Sequence, residues 1–354
     1  MADWTGVGRY STGLVRALVA RGDLDVVQLV TRTEQAPSPE ASIVLVPGHP
    51  FSPFGAMRFS SAVRRVKPDV VHCLHFPTPI PARHPLVVTL HDLAPLVVPG
   101  LMGSPLSRAV YRRWNHRAAH VADRIIVPSR YTDDDILRIL APAIPGLTTR
   151  IRVIPEAADD FATGPVGSLP TVAGEFDGRY VLGFASTRPH KGLTVLLRAF
   201  GAIAEEHPDV ALVLVGEPLR DVVLDVVESE AAMLRIRFTG KVDDPTLRAL
   251  YAHAAVFAFP SVFEGFGLPP LEAMALGAPV VTTTGASLPE VVGDAAYIVP
   301  PYEAADLAVA IDRLLDEPAE RERLIALGRN RAEGFSWRRA AEQTVGVYRE
   351  AMAR

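Results

Sequence analysis

The sequence lacks most of the features that would take it out of the ordinary globular enzymes. It has one cysteine, Cys73, set in the apolar run Asp69 to Leu74, so no intrachain disulfide can form and a reducing compartment fits. No apolar stretch approaches the ~20 residues of a membrane-spanning helix, and Met1-Ala2-Asp3-Trp4 has neither the basic nor the apolar region of an export signal. The expectation is a cytoplasmic protein. There is no basic excess either: 36 Lys and Arg against 40 Asp and Glu leave a net charge of −4, which disfavours nucleic acid as a partner. No Asp-rich or His/Cys cluster stands at metal-ligand spacing, so no essential metal and no resident cofactor are expected. What is present is 49% hydrophobic and 21% charged residues over 354 positions, enough for two buried cores rather than one.

Short β-branched runs alternate with segments of helical period along the whole chain, the pattern of parallel sheets covered by helices on both faces. The first half offers strands at 25–31, 42–46, 69–73, 86–90, 124–127 and 151–154. The second offers 180–184, 210–215, 235–239, 256–259, 279–283 and 296–299. Helical spacing is clearest at 193–204 and 307–315. The Gly-, Pro-, Ser- and Thr-rich stretch 162–178 has the composition of a linker. The division expected is 1–165, with 337–354 returning to it, and 176–336, each a doubly wound α/β unit, with a cleft between them.

Ligands of such sheets sit beyond the carboxyl ends of strands, which directs attention to three loops. Ala185 to Gly192 places Arg188 and Lys191 before a helix N-terminus, where backbone amides and two cations favour a diphosphate. Taken alone, the pair reads more readily as solvated loop charge. Pro260 to Val280 runs strand, glycine loop, short helix, strand. Glu264 and Glu272 flank the start of that helix, with Glu272 expected in its first turn, and Gly265 and Gly267 leave amides open to a ligand. Carboxylates in such a place accept hydrogen bonds from sugar or ribose hydroxyls, although Glu272 also reads as a helix-dipole partner. The third loop is Thr89-Leu90-His91-Asp92, in which Asp92 would orient His91 or its loop. A lone histidine after a strand is otherwise a structural hydrogen-bonder.

With these residues in view, the chain resembles the retaining GT-B glycosyltransferases of glycosyltransferase family 4, in its mannosyltransferase-like branch. The resemblance covers nearly the whole length. It rests on Thr5-Gly6-Val7-Gly8-Arg9-Tyr10, on His91, on Lys191, on the spacing of Glu264 and Glu272, on Ser287 to Ala296 and on Phe335-Ser336-Trp337, which opens a last helix. The resemblance implies catalytic roles for His91, Lys191 and Glu264. It implies donor contacts from Gly6, Gly8, Arg188, Lys191, Val242, Glu264, Glu272 and the backbone of Phe266, Gly267 and Leu268. It implies a nucleotide diphosphate sugar as co-substrate, with mannose from GDP-mannose the leading expectation and UDP-glucose next, and a glycan or lipid-linked acceptor. His190 stands where relatives carry a basic residue, and no strand precedes the glycine segment. The expectation from that second departure is a natural chain that begins upstream of Met1. A GT-B epimerase or phosphorylase, or a silent nucleotide-sugar scaffold, are the alternatives. Arg108, Arg112, Arg113 and Arg117 recur on one expected helix and suggest peripheral contact with an anionic membrane, against the plainer reading of a solvated basic face.

Overall fold

The β-branched runs become twelve strands, all paired in parallel, among the residues that the computed structural model describes, which are 6–48, 52–75, 84–176 and 179–353. Contacts divide the chain into one unit of residues 1–157 and 336–354 and a second of residues 158–335. The division falls before the expected linker because that stretch is strapped to the second unit. Phe161 and Ala173 lie in its core, Gly167 N donates to Pro245 O at 2.9 Å, and Arg248 donates to the carbonyls of Pro165 and Phe161. Backbone polar groups satisfied this way make the segment part of the unit rather than a free tether.

The second unit has β7 Tyr180–Phe184, β8 Ala211–Val215, β9 Ile236–Phe238, β10 Val256–Phe259, β11 Val280–Thr283 and β12 Ala296–Val299. Their order is β12-β11-β10-β7-β8-β9. The chain leaves β7 in one direction for β8 and β9 and later returns to the other side for β10. The β7/β10 boundary is therefore the topological switch point, where the loops after the two strands part and leave a crevice. The helix Leu193–Ile203 follows β7, and its side chains Leu196, Leu197, Phe200 and Ile203 are buried against the sheet.

The first unit has β1 Val27–Val30, β2 Ser42–Leu45, β3 Val71–Cys73, β4 Leu86–Thr89, β5 Arg124–Val127 and β6 Ile151–Val153. Its sheet is not the single doubly wound sheet expected. β1 and β2 pair with each other, and β3-β4-β5-β6 form a separate four-stranded sheet. The usual doubly wound order has one more strand between β1 and β3, and among the described residues none precedes the helix Gly6–Ala20. Residues 1–5, on which the expectation about the start rests, lie outside the described residues.

The last helix, Trp337–Met352, belongs to this first unit. Ser336 Oγ accepts from Arg339 N at 3.2 Å to cap it, as a serine does at a helix start. Trp337 packs edge-on to Tyr10 with centroids 5.8 Å apart. Glu350 accepts from Arg124 at 2.9 Å and from Arg152 at 2.7 Å, which ties the helix to β5 and β6.

Candidate functional site

At the switch point of the second unit, the loops after β7 and β10 are joined through one carbonyl. His190 O accepts from Val262 N at 2.8 Å and from Ser261 Oγ at 3.0 Å. Gly192, at φ 71°, makes the approach tolerable, since a Cβ there would collide with the Pro260 carbonyl. The result is that Lys191 Nζ donates to Glu264 Oε1 at 2.6 Å, with the two side chains 27% and 15% exposed. Two residues 73 positions apart thus meet, one cationic and one anionic, beside the N-terminus of the helix Leu193–Ile203. Lysine has three N–H donors, so its ammonium holds Glu264 and still has donors for phosphate. Arg188 is exposed on the same loop, one turn ahead of Lys191.

The Glu264 loop is held from behind by Ser287, whose hydroxyl donates toward Glu264 O at 2.8 Å and Phe266 O at 2.6 Å. Sequence reasoning gave Ser287 no role, although it opens a segment that the family resemblance picked out. Phe266 and Leu268 bury their side chains, each 5% exposed, so only their backbone remains to meet a ligand. Gly267 has φ 115° and caps the helix Leu268–Leu276, a conformation that suits glycine. That helix corrects one expectation. Because it begins at Leu268, Glu272 falls in the second turn, and it is buried, 3% exposed, accepting from Tyr251 OH at 3.2 Å. Val242 likewise sits in the hydrophobic core, 8% exposed, so a contact with a nucleotide base would come from its backbone.

In the first unit, His91 ends the run after β4 and is 8% exposed. Its Nδ1 faces Glu156 Oε1 at 3.2 Å and its Nε2 faces the Leu74 carbonyl at 2.9 Å. Both partners are acceptors, so the ring satisfies them only with both nitrogens protonated. Burial opposes that charge, but the hydrogen bond and charge of Glu156, the Leu74 carbonyl and Asp92 outweigh it and raise His91 above the usual imidazole range. Of the two expected uses of Asp92 the structure shows the second: its Oδ1 accepts from Ala94 N at 2.8 Å and orients the loop, while Glu156, missed in the sequence, pairs with the imidazole. Glu156 follows β6, so the rule that loops after strands carry function does point to it. Beneath the ring runs a polar chain: Tyr10 OH to Thr89 Oγ1 at 2.9 Å, Thr89 to His72 Nε2 at 2.8 Å, and His72 Nδ1 to Tyr348 OH at 2.8 Å. Burial, then the His91 charge, lowers His72 to about 3, so it is neutral and relays hydrogen bonds without carrying charge.

Gly6 and Gly8 do not form a loop ahead of a helix. Both lie in the first turn of the helix Gly6–Ala20 and Gly8 is buried, so a contact there would use first-turn amides. On the helix Pro105–Val121, Arg108, Arg112, Arg113 and Arg117 are all exposed. Val110 is 46% exposed and Leu106 is 74% exposed, so apolar and basic groups share the open surface. The charge of the chain is also unevenly divided. The first unit holds 22 of the 36 basic and 14 of the 40 acidic residues, a formal +8, leaving 14 and 26, a formal −12, in the second. No helix among the described residues is long and apolar enough to cross a membrane.

One group of side chains with metal-ligand chemistry occurs among the described residues, His207 with Asp312 and Asp316. Sequence spacing could not reveal it, because the histidine and the aspartates come from different elements. His207 Nε2 lies 2.7 Å from Asp312 Oδ1 and Nδ1 lies 4.0 Å from Asp316 Oδ1, so each ring nitrogen faces a carboxylate. It follows the C-terminus of the helix Leu193–Ile203, the opposite end from Lys191.

Comparison with known proteins places this geometry. Residues 173–331 match the family model for glycosyl transferases group 1, and residues 5–156 match that for a glycosyl transferase 4-like domain. The O-antigen chain mannosyltransferase B of Escherichia coli is 30% identical over 98% of this chain and 96% of that protein. An MMP alpha-(1->4)-mannosyltransferase of Mycolicibacterium hassiacum is 34% identical over 70% of this chain and 60% of that protein. Among solved structures, sucrose-phosphate synthase from Thermosynechococcus elongatus superposes with a TM-score of 0.74 at 23% identity, covering 97% and 92% of the two chains. Anabaena HepE in complex with UDP-glucose superposes with a TM-score of 0.72 at 17% identity, covering 96% and 95%. The fold is GT-B, and the chain belongs to the family 4 glycosyltransferases.

Proposed function

We propose that the chain transfers a hexose, mannose from GDP-mannose first among the candidates, to a glycan or lipid-linked acceptor in cell-envelope polysaccharide or glycoconjugate synthesis, with retention of anomeric configuration. The observation that carries this reading is the Lys191–Glu264 pair at the switch point, a cation for the diphosphate next to a carboxylate for sugar hydroxyls. The mannosyltransferase names of the relatives from Escherichia coli and Mycolicibacterium hassiacum support the sugar.

In the mechanism we propose, the bond between the anomeric carbon and the diphosphate oxygen breaks while the acceptor hydroxyl adds on the same face. The departing phosphate oxygen takes the acceptor's proton. The protein's part is electrostatic. Lys191, Arg188 and the first-turn amides of the helix Leu193–Ile203 stabilise charge growing on phosphate. Glu264 holds the sugar hydroxyls and Glu272 the ribose, and His91 is the catalytic residue proposed from the first unit. The positive charge comes from side chains and amides, so turnover persists in chelator.

A panel of nucleotide sugars, ranked by thermal shift and then by release of nucleoside diphosphate, tests the assignment. GDP-mannose, or UDP-glucose as the next candidate, stabilises the protein and is slowly hydrolysed. An epimerised sugar nucleotide would identify an epimerase, and binding without turnover a scaffold.

The first unit's +8 and the exposed Leu106 and Val110 among four arginines favour peripheral contact with an anionic bilayer. At about 1 kcal/mol per basic residue at such a surface, Arg112→Gln with Arg113→Gln lowers partitioning onto phosphatidylglycerol vesicles roughly thirty-fold. Neutral vesicles bind neither form. Co-sedimentation indifferent to lipid charge removes the membrane contact.

A further inference from the structure

The most buried group of the β7 loop is neither of its fixed cations. His190 is 6% exposed, and its Nδ1 has no hydrogen-bond partner among the described residues. An imidazole nitrogen left so costs stability unless a ligand, ion or water engages it. Its position is not accidental to the loop. The His190 carbonyl is the acceptor that fastens Val262 and Ser261 to this loop, so the residue is fixed at the junction of the two segments that carry Lys191 and Glu264. The charged groups that face it are Lys191 and Arg188 from its own loop and Glu264 from the loop after β10.

We propose that His190 is a further ligand of the donor diphosphate, which it engages as an imidazolium formed by proton uptake when the nucleotide sugar binds. This rests on the donor reading above and adds a residue to it. In the free protein, burial first, and then Lys191 and Arg188, hold His190 below its ordinary value against the pull of Glu264, so the ring is neutral near pH 7. Two phosphate charges arriving beside it reverse the balance and favour the protonated ring. Each binding event then takes up protons from solution, and no bond other than N–H is made. The sign follows from linkage: affinity is highest below the depressed pKa of the free ring. It falls by up to about tenfold per pH unit between the free and bound values, and levels off above the bound value.

Intact GDP-mannose and UDP-glucose are suitable probes, because a diphosphate esterified at both ends does not titrate in this range. Calorimetric titration of the full chain at several pH values, in buffers of different ionisation enthalpy, measures the uptake directly. Wild type is expected to bind with a net gain of part of a proton and with affinity falling as pH rises. His190→Arg is expected to bind with no proton uptake and no such slope, and His190→Gln to bind more weakly at low pH and equally without uptake. Wild-type binding that is flat with pH and releases or takes up no proton overturns the role of His190 while leaving the donor site standing. Undiminished uptake in His190→Gln does the same. If neither nucleotide sugar binds a wild-type protein that melts cooperatively, the donor reading itself fails and this inference falls with it.

Discussion

Lys191→Ala is expected to lower kcat by about 10²- to 10³-fold, the range found when one preorganised donor is removed from a developing oxyanion. The lysine side chain is already placed, with Glu264 at 2.6 Å and the Phe259 ring 5.7 Å from its nitrogen, so its contribution in the transition state needs little reorganisation. Removing it leaves Glu264 unopposed beside the diphosphate, which adds repulsion to lost attraction. Lys191→Arg keeps the charge but alters reach and geometry, and is expected to retain intermediate turnover. Folding should change little, because the pair lies in loops beyond the carboxyl ends of β7 and β10, with Lys191 27% exposed. Steady-state turnover with the preferred donor, together with a melting curve, separates the two effects. Near-normal kcat in Lys191→Ala would remove the lysine from the chemistry.

The second large effect is on stability. His91 and Glu156 form a buried charged pair, with side chains 9% and 6% exposed. Glu156→Gln leaves the imidazole facing a neutral amide, and breaking one side of such a pair typically costs about 3–5 kcal/mol. The cost depends on pH in a fixed direction. His91 titrates higher in the folded protein than the ~6.5 of a free imidazole, so the stabilisation is fully present below that unfolded value and is lost as pH rises through the folded one. Denaturant unfolding of the two proteins from pH 5.5 to 9 is expected to show the largest gap at the acid end, narrowing toward the alkaline end. A gap that widens with pH would mean that the ring is neutral in the folded state.

These two pairs show how much was legible in the sequence and why the rest was not. Every strand among the described residues was found, because period and β-branching are local and a parallel strand covered on both faces, such as β8, is apolar at all five positions. Lys191 and Glu264 were found because both lie on loops after strands, and the strand order that makes them neighbours follows from the doubly wound topology. What failed was non-local or sub-local. Asp92, adjacent in sequence, left open whether it orients His91 or the loop. The carboxylate has its nearer use in accepting from Ala94 N, and the partner of His91 lies 65 residues away. Glu272 was put one turn too early because the helix start was read from its prolines, yet Leu268 already precedes them in the helix. The segment 162–178 has a linker's composition, but composition does not record that Arg248 reaches its carbonyls.

A crystal structure with an intact nucleotide sugar bound shows directly whether the Lys191–Glu264 pair is the donor site. A diphosphate oxygen is expected within hydrogen-bond distance of Lys191 Nζ, at the N-terminus of the helix Leu193–Ile203, with sugar hydroxyls on Glu264. A nucleotide sugar seated elsewhere, with the Lys191–Glu264 pair closed and untouched, would contradict it.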